Sequence, residues 1–142
     1  MRPTLSAVAF FLVSLVAKGQ SAPSSETRST TSATEQAIVK EITPAELATM
    51  LASRKIFVYD CNEEDMFAEA HVPGAVLTVY DEVTAAKLPP DKNATLVFYC
   101  YSPECPAGGN AARTAVKLGF VDVYCMKAGI TGWQDAGLPT KP

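Results

Sequence analysis

The chain has almost no histidine: His71 stands alone among 142 residues. A histidine-built metal centre is therefore not expected, and Met50, Met66 and Met126 are too scattered to replace the missing ligands. No cofactor is expected either. Positive charge is also scarce. Twelve Lys and Arg face fifteen Asp and Glu, giving a net charge of −3. No basic stripe gathers, which argues against nucleic acid as a partner. Only one long apolar run occurs, Leu5 to Val16, and it is too short to span a bilayer. No internal repeat is present.

What is there begins with a leader. Met1-Arg2 supply a positive start, the run from Leu5 to Val16 follows, and Ala17-Lys18-Gly19 puts small residues where a signal peptidase reads. Residues 1–19 thus read as a secretory signal peptide. No cysteine lies near the cut, which disfavours a lipoprotein. Residues 20–37 are rich in Ser, Thr and Ala and read as a flexible tether. Residues 38–142 form one small domain. The expected location is the periplasm, or the exterior if the host is not Gram-negative, with no stable membrane span after cleavage.

Export places four cysteines in an oxidising compartment. The domain is larger and more apolar than most disulfide-stapled folds. Cys61 and Cys125 sit in apolar, strand-like runs and read as buried structural thiols. Asn93-Ala94-Thr95 matches a glycosylation sequon, relevant only in a eukaryotic host.

Strands and helices alternate. Ile38–Ile42 reads as a strand. Thr43-Pro44-Ala45-Glu46 forms a capping box with proline at the first helical position, opening a helix that ends near Ser53. Ile56–Tyr59 reads as a buried strand, and Asn62 as the cap of an acidic helix, Glu63–Glu69. Ala75–Val79, Thr95–Tyr99 and Val121–Met126 read as further strands. Asp81–Lys87, Asn110 to Gly119 and Ile130–Ala136 read as helices. Continuous apolar strands alternating with helices imply an α/β fold, a mostly parallel sheet covered on both faces. Ligands on such sheets bind beyond the carboxyl ends of the strands.

Cys100 occupies such an end. It follows the run Thr95 to Tyr99 and opens a loop, Cys100-Tyr101-Ser102-Pro103-Glu104-Cys105-Pro106-Ala107-Gly108-Gly109, that leads into a helix. Free backbone N–H groups and the positive end of the helix dipole favour a thiolate there, and thiolate is the nucleophile. Asp60-Cys61-Asn62 ends a neighbouring strand on the same side.

Four segments carry a family resemblance: Val58-Tyr59-Asp60-Cys61-Asn62, His71-Val72-Pro73-Gly74-Ala75, Val97-Phe98-Tyr99-Cys100, and Ala128-Gly129-Ile130-Thr131-Gly132-Trp133 with Ala136-Gly137-Leu138-Pro139. In this order and spacing they resemble the rhodanese-like sulfurtransferases, over the whole of residues 38–142. The resemblance implies a five-stranded parallel sheet with flanking helices. It also implies that Cys100 carries sulfane sulfur as a persulfide, taken from thiosulfate or a persulfide donor and passed to a thiophile, whether a small thiol or a protein acceptor. His71 is then a structural part of its turn, and Trp133 a packing anchor.

The loop departs from the usual pattern. It is longer by about two residues, holds a second cysteine, and carries no Lys or Arg, only Glu104. It resembles a subgroup of exported single-domain members with a Cys-x-x-Pro-x-Cys-type loop. Asn62 stands where many members carry arginine. Tyr101, Ser102, Pro103, Glu104, Pro106, Ala107 and Gly108 are the candidate substrate-loop residues. Pro103 and Pro106 lack an N–H, which leaves Tyr101, Ser102, Glu104, Cys105 and Ala107 as backbone donors. Asp60 and Asn62 are expected to tie the second strand to this loop. Arg113 either pairs with Asp60 or Glu104 or faces solvent. Tyr101 either shapes the entrance or is an exposed loop aromatic. Cys105 is either a resolving thiol that attacks the Cys100 persulfide or a structural thiol facing the core. Two functions compete with sulfur transfer: a thiol–disulfide or persulfide redox protein using Cys100 and Cys105, and a non-catalytic binding module. Phosphatase and arsenate reductase chemistry on this fold uses an arginine inside the loop, which is missing here.

Overall fold

The structure, a computed structural model, describes residues 38–142. The expected signal peptide and tether, residues 1–37, lie outside the described residues. Five strands, β1 (Lys40–Glu41), β2 (Phe57–Asp60), β3 (Val76–Leu77), β4 (Thr95–Tyr99) and β5 (Asp122–Met126), form one sheet in the order β1-β5-β4-β2-β3. Every pairing is parallel. Four helices accompany them: α1 (Pro44–Ser53), α2 (Glu64–Glu69), α3 (Ala107–Lys117) and α4 (Gly129–Asp135). The stretch read as a helix over Asp81–Lys87 shrinks to a single 3-10 turn, Ala85–Lys87. Among the described residues, no helix is long and apolar enough to cross a membrane.

The strands alternate sides as period-2 geometry requires. Leu96, Phe98 and Cys100 turn toward α3, where they meet Tyr59, Cys61, Val123 and the helix's Ala111, Ala112 and Ala115. Val97, Tyr99, Val58 and Met126 turn the other way, against Leu47 of α1 and Ile130 and Trp133 of α4. Burial on both faces explains why these strands read as unbroken apolar runs. The alanine row of α3 lets that helix lie close against β4 and β5.

The capping box of α1 forms as expected. The Thr43 hydroxyl accepts from the Glu46 amide at 3.3 Å, and the Glu46 carboxylate accepts from the Thr43 amide at 2.9 Å. The reading of Asn62 as the cap of α2 is corrected: Glu63 occupies that position, with no side-chain cap bond. Asn62 is held one residue too early, because its own amide donates to the Asp60 carboxylate at 2.8 Å. Helix α3 begins at Ala107, three residues before the expected Asn110, and takes in both loop glycines.

Candidate active site

The C-terminal edge of β4 carries Cys100, which is only 6% exposed yet lines a cleft of 390 Å³ open to solvent. Ser102, Pro103, Glu104, Cys105, Pro106 and Gly108 line the same cleft. Cys100 and Cys105 are joined by a disulfide, with their Cα atoms 6.1 Å apart, within the span such a bridge accepts. Cys61 and Cys125 are free. All four cysteines gather on the α3 side of the sheet: Cys61 and Cys100 inside the apolar cluster, Cys105 and Cys125 packed against it. Burial first, then the nearby Asp60 carboxylate and Cys125, pushes the Cys61 thiol up to about 12, so it stays protonated at neutral pH. Burial also raises Cys125, which lines the cleft.

Two helix N-termini converge on the loop. At Gly108, a Cβ would lie 2.9 Å from the Tyr99 backbone, so the first turn of α3 abuts the end of β4 only because that residue is glycine. From the opposite side, the amides of Ile130 and Thr131 in α4 donate to the carbonyls of Cys100 and Tyr101 at 2.9 and 3.0 Å. The Thr131 hydroxyl donates to the Tyr101 carbonyl as well, at 3.1 Å. Gly129 makes this clamp possible. It has φ +67°, and a Cβ there would stand 2.4 Å from the Tyr101 carbonyl oxygen. Within the loop, the Cys105 amide is spent on the Ser102 carbonyl at 3.1 Å, and the Ser102 hydroxyl donates to Glu104 at 2.7 Å. That hydroxyl holds the Glu104 carboxyl below its ordinary value.

Asp60 is fully buried and supports the site from beneath. It accepts from the Tyr99 hydroxyl at 2.5 Å, and that hydroxyl accepts from the Val72 amide at 3.0 Å. Asp60 therefore fixes the residue before Cys100 rather than the loop itself. The link from β2 to β4 at this point is the Cys61 amide, which donates to the Tyr99 carbonyl at 2.9 Å. The Asn62 side chain makes no tie: its Nδ2 is buried without a hydrogen-bond partner.

Of the remaining residues, some lie apart from the cleft and two basic ones line it. Tyr101 is 48% exposed and lines a separate hollow of 110 Å³ with Met66, Ile130 and Gln134. Ala107 is buried against the core. His71 donates from Nδ1 to the Phe67 carbonyl at 2.9 Å, stacks on the Phe67 ring, and pairs its backbone with Lys141. Trp133 is buried and donates to the Pro139 carbonyl at 2.9 Å. Arg113 reaches neither Asp60 nor Glu104; its guanidinium donates to Asn110 beside the cleft. Lys127, which sequence reading passed over, also lines the cleft.

A five-stranded parallel α/β sheet whose central strand ends in a cleft lined by Cys100 and its loop defines the class of fold. The rhodanese-like domain family profile matches residues 43–136, and the chain belongs to that family. Among its relatives, the thiosulfate sulfurtransferase GlpE of Pseudoalteromonas translucida is 25% identical over 97 residues, covering 68% of this chain and 90% of GlpE. An uncharacterized protein of Synechocystis is 26% identical over 99 residues, 70% of this chain; the match spans about half, 54%, of that longer relative. Among solved structures, a thiosulfate sulfurtransferase from Pseudomonas aeruginosa superposes with a TM-score of 0.63 at 27% identity, over 75% of this chain but 20% of that one. A rhodanese-like domain protein from Staphylococcus aureus gives 0.57 at 23% identity, over 73% of this chain and all (100%) of its own.

Proposed function

We propose that this domain is an exported sulfurtransferase that carries sulfane sulfur on Cys100. The observation that supports it most is the position of Cys100 in the wall of a cleft, where β4 gives way to a loop ending at the N-terminus of α3. In the reduced protein the Cys100 thiolate attacks the outer sulfur of thiosulfate. The S–S bond of the donor breaks, sulfite leaves with the electron pair, and the persulfide remains on Cys100. A thiophile then takes that sulfur and restores the thiolate.

The bridge to Cys105 favours a second step on the same residues. The Cys105 thiolate attacks the Cys100 sulfur of the persulfide, hydrosulfide leaves, and the Cys100–Cys105 disulfide forms. A dithiol of the exported compartment would then reduce the bridge and reset the cycle. Export to the periplasm or the exterior belongs to the same proposal, since a bridge so formed persists only where the surroundings are oxidising.

Intact mass decides between these outcomes. The reduced chain is mixed with thiosulfate, with and without cyanide. Cys105→Ser should gain one sulfur, and Cys100→Ser should gain none. The wild type should release sulfide and lose two hydrogens as the bridge closes. A Cys105→Ser chain that never gains sulfur from any donor would refute sulfur transfer and leave the binding-module reading.

A further inference from the structure

The loop from Cys100 to Asn110 contains no lysine or arginine, yet the cleft holds two cations brought from elsewhere. Arg113 comes from α3. Its guanidinium lies over Gly109, with one nitrogen 3.4 Å from where a Cβ on that glycine would stand, and it is steadied by Asn110. Lys127 follows β5. Strands β4 and β5 run parallel and in register up to Tyr99 opposite Met126, so the residue after Met126 emerges beside Cys100. Both cations also act on the Cys125 thiol in the cleft wall, offsetting part of the rise that burial imposes.

Two carboxylates share the cleft, Glu41 at the end of β1 and Glu104 in the loop. The Lys127 ammonium is 4.0 Å from Glu41, with both side chains largely exposed, so this pair is weak and open to exchange. The cleft therefore balances two positive against two negative groups. A bare dianion attracted by the cations is repelled by the carboxylates. A molecule with a carboxylate and an ammonium a few bonds apart gains from both. The volume of 390 Å³ sits at the small end of small-molecule sites.

Resting on the sulfur-transfer reading, we propose that the cleft selects a persulfide of the amino-acid or short-peptide class, its carboxylate held by Arg113 and Lys127 and its ammonium by Glu104. The Cys100 thiolate attacks the outer sulfur of the carrier RS–SH. The carrier's S–S bond breaks, RS⁻ leaves with the electron pair, and Cys100–S–SH forms with its proton on the transferred sulfur. No oxidant or reductant is consumed.

The test uses the full chain carrying Cys105→Ser, reduced and desalted, and follows the gain of one sulfur by intact mass. Three donors are compared: cysteine hydropersulfide, uncharged 2-hydroxyethyl hydropersulfide, and thiosulfate. Cysteine hydropersulfide should half-saturate at a concentration about fivefold or more below the other two, the size expected for partly exposed charge pairs. Arg113→Gln and Lys127→Gln should each raise that concentration about fivefold while the saturating rate stays within about twofold. Arg113→Lys should recover most of the loss. Lys127 is exposed, so its variant serves if Arg113→Gln fails to fold. Equal half-saturation by all three donors, or variants that lower the saturating rate without moving half-saturation, would overturn the selectivity. Loading by no donor is a separate result, and it removes the sulfur-transfer reading itself.

Discussion

Asp60 shows how one buried side chain sets the position of another. Among the described residues it is the one carboxylate with no solvent exposure. Burial pushes its pKa above the ordinary carboxylate value, against hydrogen bonds from the Tyr99 hydroxyl and the Asn62 amide and the charge of His71. The folded state thus binds this proton more tightly than the unfolded chain does. The stability that this preference contributes is complete below the unfolded pKa, about 4, and is lost as pH rises through the raised folded value. In Asp60→Asn the titrating group is gone. The stability of wild type minus that of Asp60→Asn, measured by urea unfolding, should therefore fall as pH rises from about 4 to 7. A difference that grows over this interval would contradict the assignment. Asp60→Ala also lacks the titrating group and leaves the Tyr99 hydroxyl without its acceptor; it should lose about 1–3 kcal/mol near pH 4, and the loss should narrow as pH rises.

The elements around the loop are fixed by two glycines whose roles differ in legibility. Gly129 stands in the Ala128-Gly129-Ile130-Thr131-Gly132-Trp133 segment that carried the family resemblance, yet its work is done on a loop nearly thirty residues upstream. Gly129→Ala meets both a positive φ and the Tyr101 backbone. It should cost about 2–4 kcal/mol in urea unfolding and abolish sulfur loading of Cys100. Loading at the wild-type rate would show that the clamp by α4 is dispensable. Gly108 and Gly109 misled the reading of α3, because two glycines after a proline are poor helix formers. The close approach to Tyr99 outweighs that propensity and starts the helix three residues early. The long elements were legible from their patterns: the capping box of α1, the apolar run of β4 and the alanine row of α3. Strands β1 and β3, two residues each, were legible only as ragged stretches, since pairing at the sheet edge sets their limits.

At the scale of the whole molecule, the parallel topology gathers residues that sequence spacing keeps apart. Parallel strands bring Cys100, Lys127 and Glu41 to one edge because β4, β5 and β1 all end there. The place of Cys100 at a strand end was legible from its local surroundings, while the cations of the cleft were not, since no short-range pattern links Arg113 and Lys127 to Cys100. The bridge adds a second global effect. It closes a loop of only a few residues, with Cys100 and Cys105 five apart, so the entropy it removes from the unfolded chain is small. On the chain-entropy relation this amounts to about 2 kcal/mol. Adding a reductant should lower the unfolding free energy by about that amount, and Cys105→Ser should match the reduced wild type within about 1 kcal/mol. The fold should survive reduction, because the cluster on the α1 and α4 side contains neither bridged cysteine, and the cluster on the α3 side keeps Cys100 and Cys105 as apolar thiols among many other side chains. The measurement is urea unfolding with and without reductant, followed by Trp133 fluorescence. A collapse of the cooperative transition on reduction would mean that the bridge is structural, and a catalytic cycle that opens and closes it would then be untenable.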